Sequence, residues 1–222
     1  MNYATARLHM VESQIRPNGV RDPLILDAFA SLPRELFVPE QRQPLAYIDK
    51  GVLAVEASGD EPARYLLQPM VLARLLEAAE PSQADNVLDV GSATGYSAAI
   101  LSRIVAKVDA VETSAALVEA MKKRLSFVGA SNVDVHEGPL EEGVPSQKPF
   151  SLILVNGAVA NEPKSLFGQL ADGGRLVVVV RKGWMGSAWL FEKSGGNVSG
   201  RPLFDAPADY LPGFEPKPEF TF

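Results

Sequence analysis

Asn86-Val-Leu-Asp-Val-Gly-Ser-Ala-Thr-Gly-Tyr-Ser-Ala-Ala-Ile-Leu101 is the stretch that decides the fold class. Val87, Leu88 and Val90 form a short apolar run of strand type. Gly91, Ala93 and Gly95 place small residues at alternate positions of a turn, and Tyr96 to Ile104 carries apolar residues at helical spacing. A strand, a glycine-containing turn and a helix in that order put free backbone N–H groups and a helix N-terminus at the strand's carboxyl end. Small residues let a ligand approach that backbone closely. The turn is therefore a candidate site for a nucleotide-like ligand.

Downstream the alternation continues. Lys107–Glu112 reads as a strand, and Ser114 caps a helix with Leu117, Val118, Met121 and Leu125 among its apolar positions. Residues 133–136 form a short strand, and residues 150–155 a continuous apolar run suited to burial on both faces. Residues 161–170 read as a helix with Pro163 in its first turn, broken by Asp172-Gly-Gly174 before a strand at 176–180. Residues 188–192 and 198–204 read as two strands joined by Ser194-Gly-Gly196, a hairpin. Strands alternating with helices imply an α/β fold with a doubly wound parallel sheet, and the hairpin implies an antiparallel element at one edge. The tail holds Pro207, Pro212, Pro216 and Pro218 and reads as an extended cover, with Tyr210, Leu211 and Phe214 closing an edge of the sheet.

Upstream, residues 3–16 suggest a helix that Arg16-Pro-Asn-Gly19 ends with turn chemistry. Asp22-Pro23 is an N-cap followed by proline at the first helical position, and Ile25, Phe29 and Leu32 share one face of the helix that follows. Residues 44–64 are less regular, with a short strand at 52–55 and a loop at Ala57-Ser-Gly-Asp-Glu-Pro62. Pro69 opens a helix with Leu72, Leu75, Leu76 and Ala79 on one face. Glu80-Pro-Ser-Gln83 marks a boundary between a mainly helical N-terminal subdomain, residues 1–80, and a ligand-binding domain, residues 81–222.

Composition narrows the chemistry. The 222 residues are 46% hydrophobic and 22% charged, ordinary for a soluble globular protein. A formal net charge of −6 argues against nucleic acid or an anionic membrane as partner. The absence of cysteine excludes disulfides, thiolate nucleophiles and Cys-ligated zinc. The two histidines, His9 and His136, are far apart, so no metal site is expected, and both read as structural or exposed. The N-terminus carries no apolar signal core and no apolar run is long enough to span a bilayer, so a cytoplasmic location is expected.

Two acids frame the turn. Asp89 precedes the first glycine, and Glu112 ends the next strand 23 residues further on. An acid about 20 residues past such a loop suits the ribose hydroxyls of a nucleoside. That spacing fits both NAD and S-adenosylmethionine. The loop itself is Gly91-x-x-x-Gly95 rather than G-x-G-x-x-G. Tyr96 leaves less room for a pyrophosphate, and the charge of Asp89 would repel a diphosphate while suiting an ammonium and a sulfonium. S-adenosylmethionine is therefore the favoured ligand, ahead of NAD and of a bare turn. Gly138-Pro-Leu140 lies where an adenine would rest, and Asn156 lines the same cleft. The candidate cofactor-binding residues are Asp89, Gly91, Ser92, Ala93, Thr94, Gly95, Tyr96, Glu112, Thr113, Gly138, Pro139, Leu140 and Asn156.

Most of the chain resembles the protein-L-isoaspartate O-methyltransferase family. Met10-Val-Glu-Ser-Gln-Ile-Arg16 is similar to that family's opening helix, and Leu32-Pro-Arg-Glu-Leu-Phe-Val-Pro39 to its most distinctive N-terminal motif, followed by Ala46-Tyr-Ile-Asp49. Asp89-Val-Gly-Ser-Ala-Thr-Gly-Tyr96 resembles its cofactor motif, and Leu170-Ala-Asp-Gly-Gly-Arg-Leu-Val177 its late helix-to-strand turn. The resemblance implies a mostly parallel sheet of seven strands of the Rossmann-like methyltransferase type. It also implies S-adenosylmethionine as donor and the side-chain carboxylate of an isoaspartyl residue in a damaged protein as acceptor.

Three departures stand against that pattern. In Tyr65-Leu-Leu-Gln-Pro69, Leu67 occupies the position of the family's active-site serine, beside Gln68. A leucine donates no hydrogen bond to an acceptor carboxylate. Gly138-Pro-Leu140 replaces the family's Gly-Asp-Gly, so Pro139 removes an acid and a backbone donor. Phe150-Ser151 replaces the family's Phe-Asp. A carboxylate is already ionised at pH 7 and needs no general base, so loss of a positioning serine leaves a transfer slower by ~10²-fold. Two other readings follow: a methyltransferase of the same fold with a different, small-molecule acceptor, and a non-catalytic S-adenosylmethionine-binding protein.

Overall fold

The computed structural model describes residues 2–59 and 61–216; Asp60 of the 57–62 loop and Pro218 of the tail lie outside the described residues. The apolar runs become a seven-stranded sheet. Its strands are β3 (Asn86–Val90), β4 (Lys107–Glu112), β5 (Val133–Glu137), β6 (Phe150–Val159), β7 (Leu170–Lys182), β8 (Met185–Ser194) and β9 (Asn197–Asp205). The order is β5-β4-β3-β6-β7-β8-β9. The first five strands are parallel and β8 and β9 antiparallel. The order reverses between β3 and β4 on one side and β6 on the other, the switch point at which such sheets hold ligands beyond their carboxyl ends.

Alternate residues of each strand face opposite layers. Val87, Val108, Leu152, Leu154, Val177 and Val179 belong to one apolar cluster. It is shared with α1 (Tyr3–Met10), α2 (Pro23–Ser31), α3 (Pro69–Ala79), α4 (Tyr96–Ser102) and α5 (Ala115–Phe127). Leu88, Val90, Ile153, Val155, Leu176 and Val178 face a second cluster. That layer is closed by Leu140, by Leu166 of α6 (Lys164–Phe167), and by Leu211 and Phe214 of the tail. A separate hairpin of β1 (Val52–Val55) and β2 (Arg64–Leu66) sits before α3. Its second strand was not anticipated.

The structure corrects several local expectations. The first helix is α-helical only to Met10 and widens into a π-helical segment, Val11–Ile15, before a 3₁₀ turn at Arg16–Asn18. The widening precedes Pro17, whose ring clashes with the carbonyl four residues back. The helix expected over 161–170 shrinks to Lys164–Phe167, because β6 runs on to Val159 and β7 begins at Leu170. Asp172-Gly-Gly174 lies inside β7 at a register shift, with Gly173 at φ +76, rather than ending a helix. Ser114 is the N-cap of α5, yet its hydroxyl donates to Glu61 Oε2 (3.3 Å) instead of capping. The hairpin at Gly195-Gly196 stands as expected, both residues at positive φ as a tight two-residue turn requires.

The tail covers the sheet elsewhere than at an edge. Ala158 N donates to Asp209 O, Leu211 N to Ala158 O, and Ala160 N to Phe214 O. These bonds pin the tail to the carboxyl end of β6, a central strand, at the switch point. Among the described residues no helix is long and apolar enough to cross a membrane.

Candidate functional site

The turn after β3 is organised by Asp89. Its Oδ2 accepts from the Ser97 hydroxyl of α4 (2.7 Å) and from the Ser92 hydroxyl, and the carboxyl is fully buried. Burial pushes its pKa up to about 7, against those two hydrogen bonds and assisted by the charge of Glu112. Asp89 thus ties strand, turn and helix together from inside the protein. This differs from the expectation of a charge facing a sulfonium: at neutral pH the group is near half-protonation.

The amides of the turn are also committed. Gly91 N donates to Val111 O, Gly95 N to Ser92 O, and Ala93 N to Glu112 Oε1 (2.5 Å). Expected as free donors, these three N–H groups are spent on building the loop. Gly95 is indispensable to it, with φ +95 and room for no Cβ, which would lie 2.7 Å from Met121 Cγ. Ala93 adopts φ +53 without glycine's freedom. Thr94 donates to Phe37 O (2.6 Å), so its hydroxyl faces the N-terminal segment.

Tyr96 is a further correction. Its ring is buried away from the turn, edge-on to Phe29 (6.1 Å) and Phe37 (5.4 Å), with the Arg34 guanidinium 4.7 Å above it. It leaves the room over the turn unchanged. Helix geometry points this first-turn side chain toward the N-terminal layer. Arg34, fully buried, also donates to Ala46 O (2.8 Å) and Leu67 O (2.7 Å). The Arg34–Phe37 motif therefore locks the N-terminal segment onto the turn and fixes the backbone at Leu67.

Glu112 ends β4 fully buried. It accepts from Ala93 N, from Thr113 N (3.1 Å), and from both arms of Arg64, Nη1 at 2.6 Å and Nη2 at 2.8 Å. Arg64 Nη2 also donates to Gly91 O (3.2 Å). Leu211 lies beside it: a Cβ on Gly91 would lie 2.9 Å from Leu211 Cδ2, and one on Gly157 2.6 Å from Leu211 Cγ. Gly138 has open space around it, while Pro139 is exposed and Leu140 buried in the core. Asn156 donates to Ser97 Oγ (2.6 Å), and its buried Oδ1 has no partner, like Asp89 Oδ1.

On the other side of Arg64 and Leu211 a cavity of about 500 Å³ opens. Leu67, Gln68 and Asn156 line it, with Tyr65, Arg181 and Tyr210. Gln68 donates to Asp49 Oδ1 (2.8 Å). The structure therefore brings Leu67, Gln68 and Asn156 together on the cavity. Asp89, the Gly91–Gly95 turn and Glu112 meet behind Arg64 and Leu211.

A family model for protein-L-isoaspartate(D-aspartate) O-methyltransferase matches residues 6–208. The chain belongs to this family. A protein-L-isoaspartate O-methyltransferase of Koribacter versatilis is 37% identical over 203 residues, 91% of this chain and 89% of that one. One of Methanoregula boonei is 39% identical over 189 residues, 85% and 84% of the two chains. A solved protein-L-isoaspartate O-methyltransferase superposes with a TM-score of 0.80 at 28% identity, covering 93% of this chain and 66% of that longer one. The structure of a Plasmodium falciparum protein described as a putative family member, in complex with S-adenosyl-L-homocysteine, superposes with a TM-score of 0.74 at 18% identity, a likeness of fold. Family membership agrees with the seven-stranded, mostly parallel sheet.

Sequence reasoning missed Arg64 altogether, and quoted Arg34 within the Leu32–Pro39 motif without its role. The available signal was a lone arginine ahead of the apolar pair Leu66-Leu67, and another just after Pro33 in the segment that runs to Leu36, Phe37 and Val38. Each sits in an apolar setting where only a buried partner would keep a guanidinium.

Proposed function

We propose that this chain is an S-adenosylmethionine-dependent O-methyltransferase that esterifies the side-chain carboxylate of isoaspartyl residues in damaged proteins, as a protein-repair enzyme. The observation that carries the reading is Glu112, a buried strand-end carboxylate beside the Gly91–Gly95 turn at the sheet's switch point. In kind, the residues suit a nucleoside donor: Glu112 for ribose hydroxyls, Gly138 with open space for the base, and Asn156 Oδ1 unpartnered at the boundary with the cavity. S-adenosylmethionine, when bound, supplies the methyl group. The chain's own residues orient the acceptor and exclude water. The cavity at Leu67 and Gln68 receives it, and the carboxylate needs no base.

Residues 1–80 act as the acceptor-side subdomain and residues 81–222 as the donor-binding domain. The partner is an isoaspartyl-containing protein or peptide, in the cytoplasm. A second reading, a different and more apolar acceptor, is favoured by Leu67 lining the cavity where the resemblance implies serine. Methyl-ester formation on an isoaspartyl peptide and on its aspartyl counterpart separates the two. The first reading predicts turnover on the isoaspartyl peptide alone, rising at least tenfold in Leu67→Ser. No turnover by the wild-type chain, with activity appearing only in Leu67→Ser, establishes the second. No turnover by either protein at saturating donor refutes methylation of this acceptor.

A further inference from the structure

The cleft that the turn and Glu112 define is occupied by the chain itself. Both oxygens of Glu112 are taken by Arg64, at 2.6 and 2.8 Å, and one also holds Ala93 N. A ribose in the same place would need those oxygens as acceptors. The Leu211 side chain fills the space over Gly91 and Gly157, the two glycines whose bare backbone would otherwise leave room for a ligand. By contrast, Gly138 is open. The base end of the cleft is therefore free, while the ribose end and the end nearest the cavity are closed.

The two blocking residues come from different elements, and neither is part of the sheet. Arg64 opens β2 of the small hairpin. Leu211 belongs to the tail, held to β6 through Asp209, Leu211 and Phe214. They touch one common point, Gly91: Arg64 Nη2 donates to its carbonyl, and Leu211 lies against its Cα face. Both are buried, and both line the acceptor-side cavity. Opening either one joins that cavity to the cleft behind it.

We propose that Arg64 and Leu211 form a latch that holds the donor cleft shut and that donor binding must displace. This rests on the reading of the cleft as a methyl-donor site. Arg64 is the ribose's competitor for Glu112, and Leu211 is the plug. Both are positioning residues of the closed state. The latch accounts for how a buried carboxylate is kept partnered until a ligand arrives, since an unpaired Glu112 in this setting would be strongly unfavourable.

Calorimetric titration with S-adenosylhomocysteine tests the latch on four full-length proteins: wild type, Arg64→Gln, Leu211→Ala and the double variant. The latch predicts weak binding by the wild type and at least tenfold tighter binding by each single variant. Because Arg64→Gln leaves Glu112 without its cation and lowers stability, Leu211→Ala serves as the independent arm. Hydrogen exchange on the wild type adds a further readout, with the Leu211 and Ala158 amides losing protection as ligand is added. Equal affinity in all four proteins, or unchanged protection at those amides, overturns the latch and leaves the donor-site reading standing. No binding by any of the four overturns both.

Discussion

Replacing Asp89 with asparagine tests whether this carboxyl is a buried, near-neutral organiser of the turn. In the folded chain its pKa lies at about 7, against an ordinary aspartate value of 3.8. Between those values the unfolded chain has lost a proton that the folded chain retains. Stability from this group is therefore fully present below about pH 4 and is lost as pH rises toward 7. At about 1.4 kcal/mol per pH unit, the gap amounts to about 4 kcal/mol. Asparagine keeps an oxygen to accept from Ser92 and Ser97, and places its amide where Asp89 Oδ1 already lacks a partner. The titration is removed while shape and hydrogen bonds are largely kept. Urea unfolding of both proteins at half-unit steps from pH 4 to pH 8 measures the effect. The wild type should lose its advantage over Asp89→Asn steadily up to pH 7, by about 4 kcal/mol in total, and the difference should then level off. A difference that stays constant across the range refutes the assignment of a raised pKa to Asp89.

Gly95→Ala should destabilise by about 3 kcal/mol, since alanine resists the left-handed backbone and its Cβ would press on Met121; the urea midpoint reads it. Arg175 donates to Asp85 through Nη1 (3.0 Å) and Nη2 (2.8 Å), and also to Ala79 O and Glu80 O. Although burial works against it, Arg175, the Ser151 hydroxyl and the Ser82 amide hold Asp85 at about 2. That stability is present above about pH 4 and fades as pH falls toward 2. Arg175→Ala should cost about 3 kcal/mol at pH 7, and its loss of stability between pH 4 and 2 should be shallower than the wild type's.

The parts of the fold visible in the sequence were those set by local periodicity. Valine runs such as 176–180, and the alternation of strands with helices, state their own burial, and Gly195-Gly196 states its own turn. The parts that stayed hidden depend on contacts distant in the chain. The helix over 161–170 yields to strand pairing on both flanks, which no local pattern encodes. The far end of β6 rests on pairing with β7, Ala158 with Val179 and Val159 with Val180, and on the tail bonded to Ala158. At the site, Glu112 and the glycine turn were legible because spacing alone brings them together. Tyr96 was misread because its direction depends on Phe29 and Phe37, which arrive from another subdomain. Arg64 went unseen for the same reason, since its partner lies 48 residues away.

The Gly91–Gly95 turn and Glu112 are read as a nucleoside-donor site rather than a structural turn. Thermal unfolding of the full chain with S-adenosylhomocysteine and, separately, with NAD tests that claim directly. A donor site makes the midpoint climb with S-adenosylhomocysteine concentration and leaves it unmoved by NAD. A midpoint that S-adenosylhomocysteine leaves unchanged, whether or not it climbs with NAD, would contradict that reading.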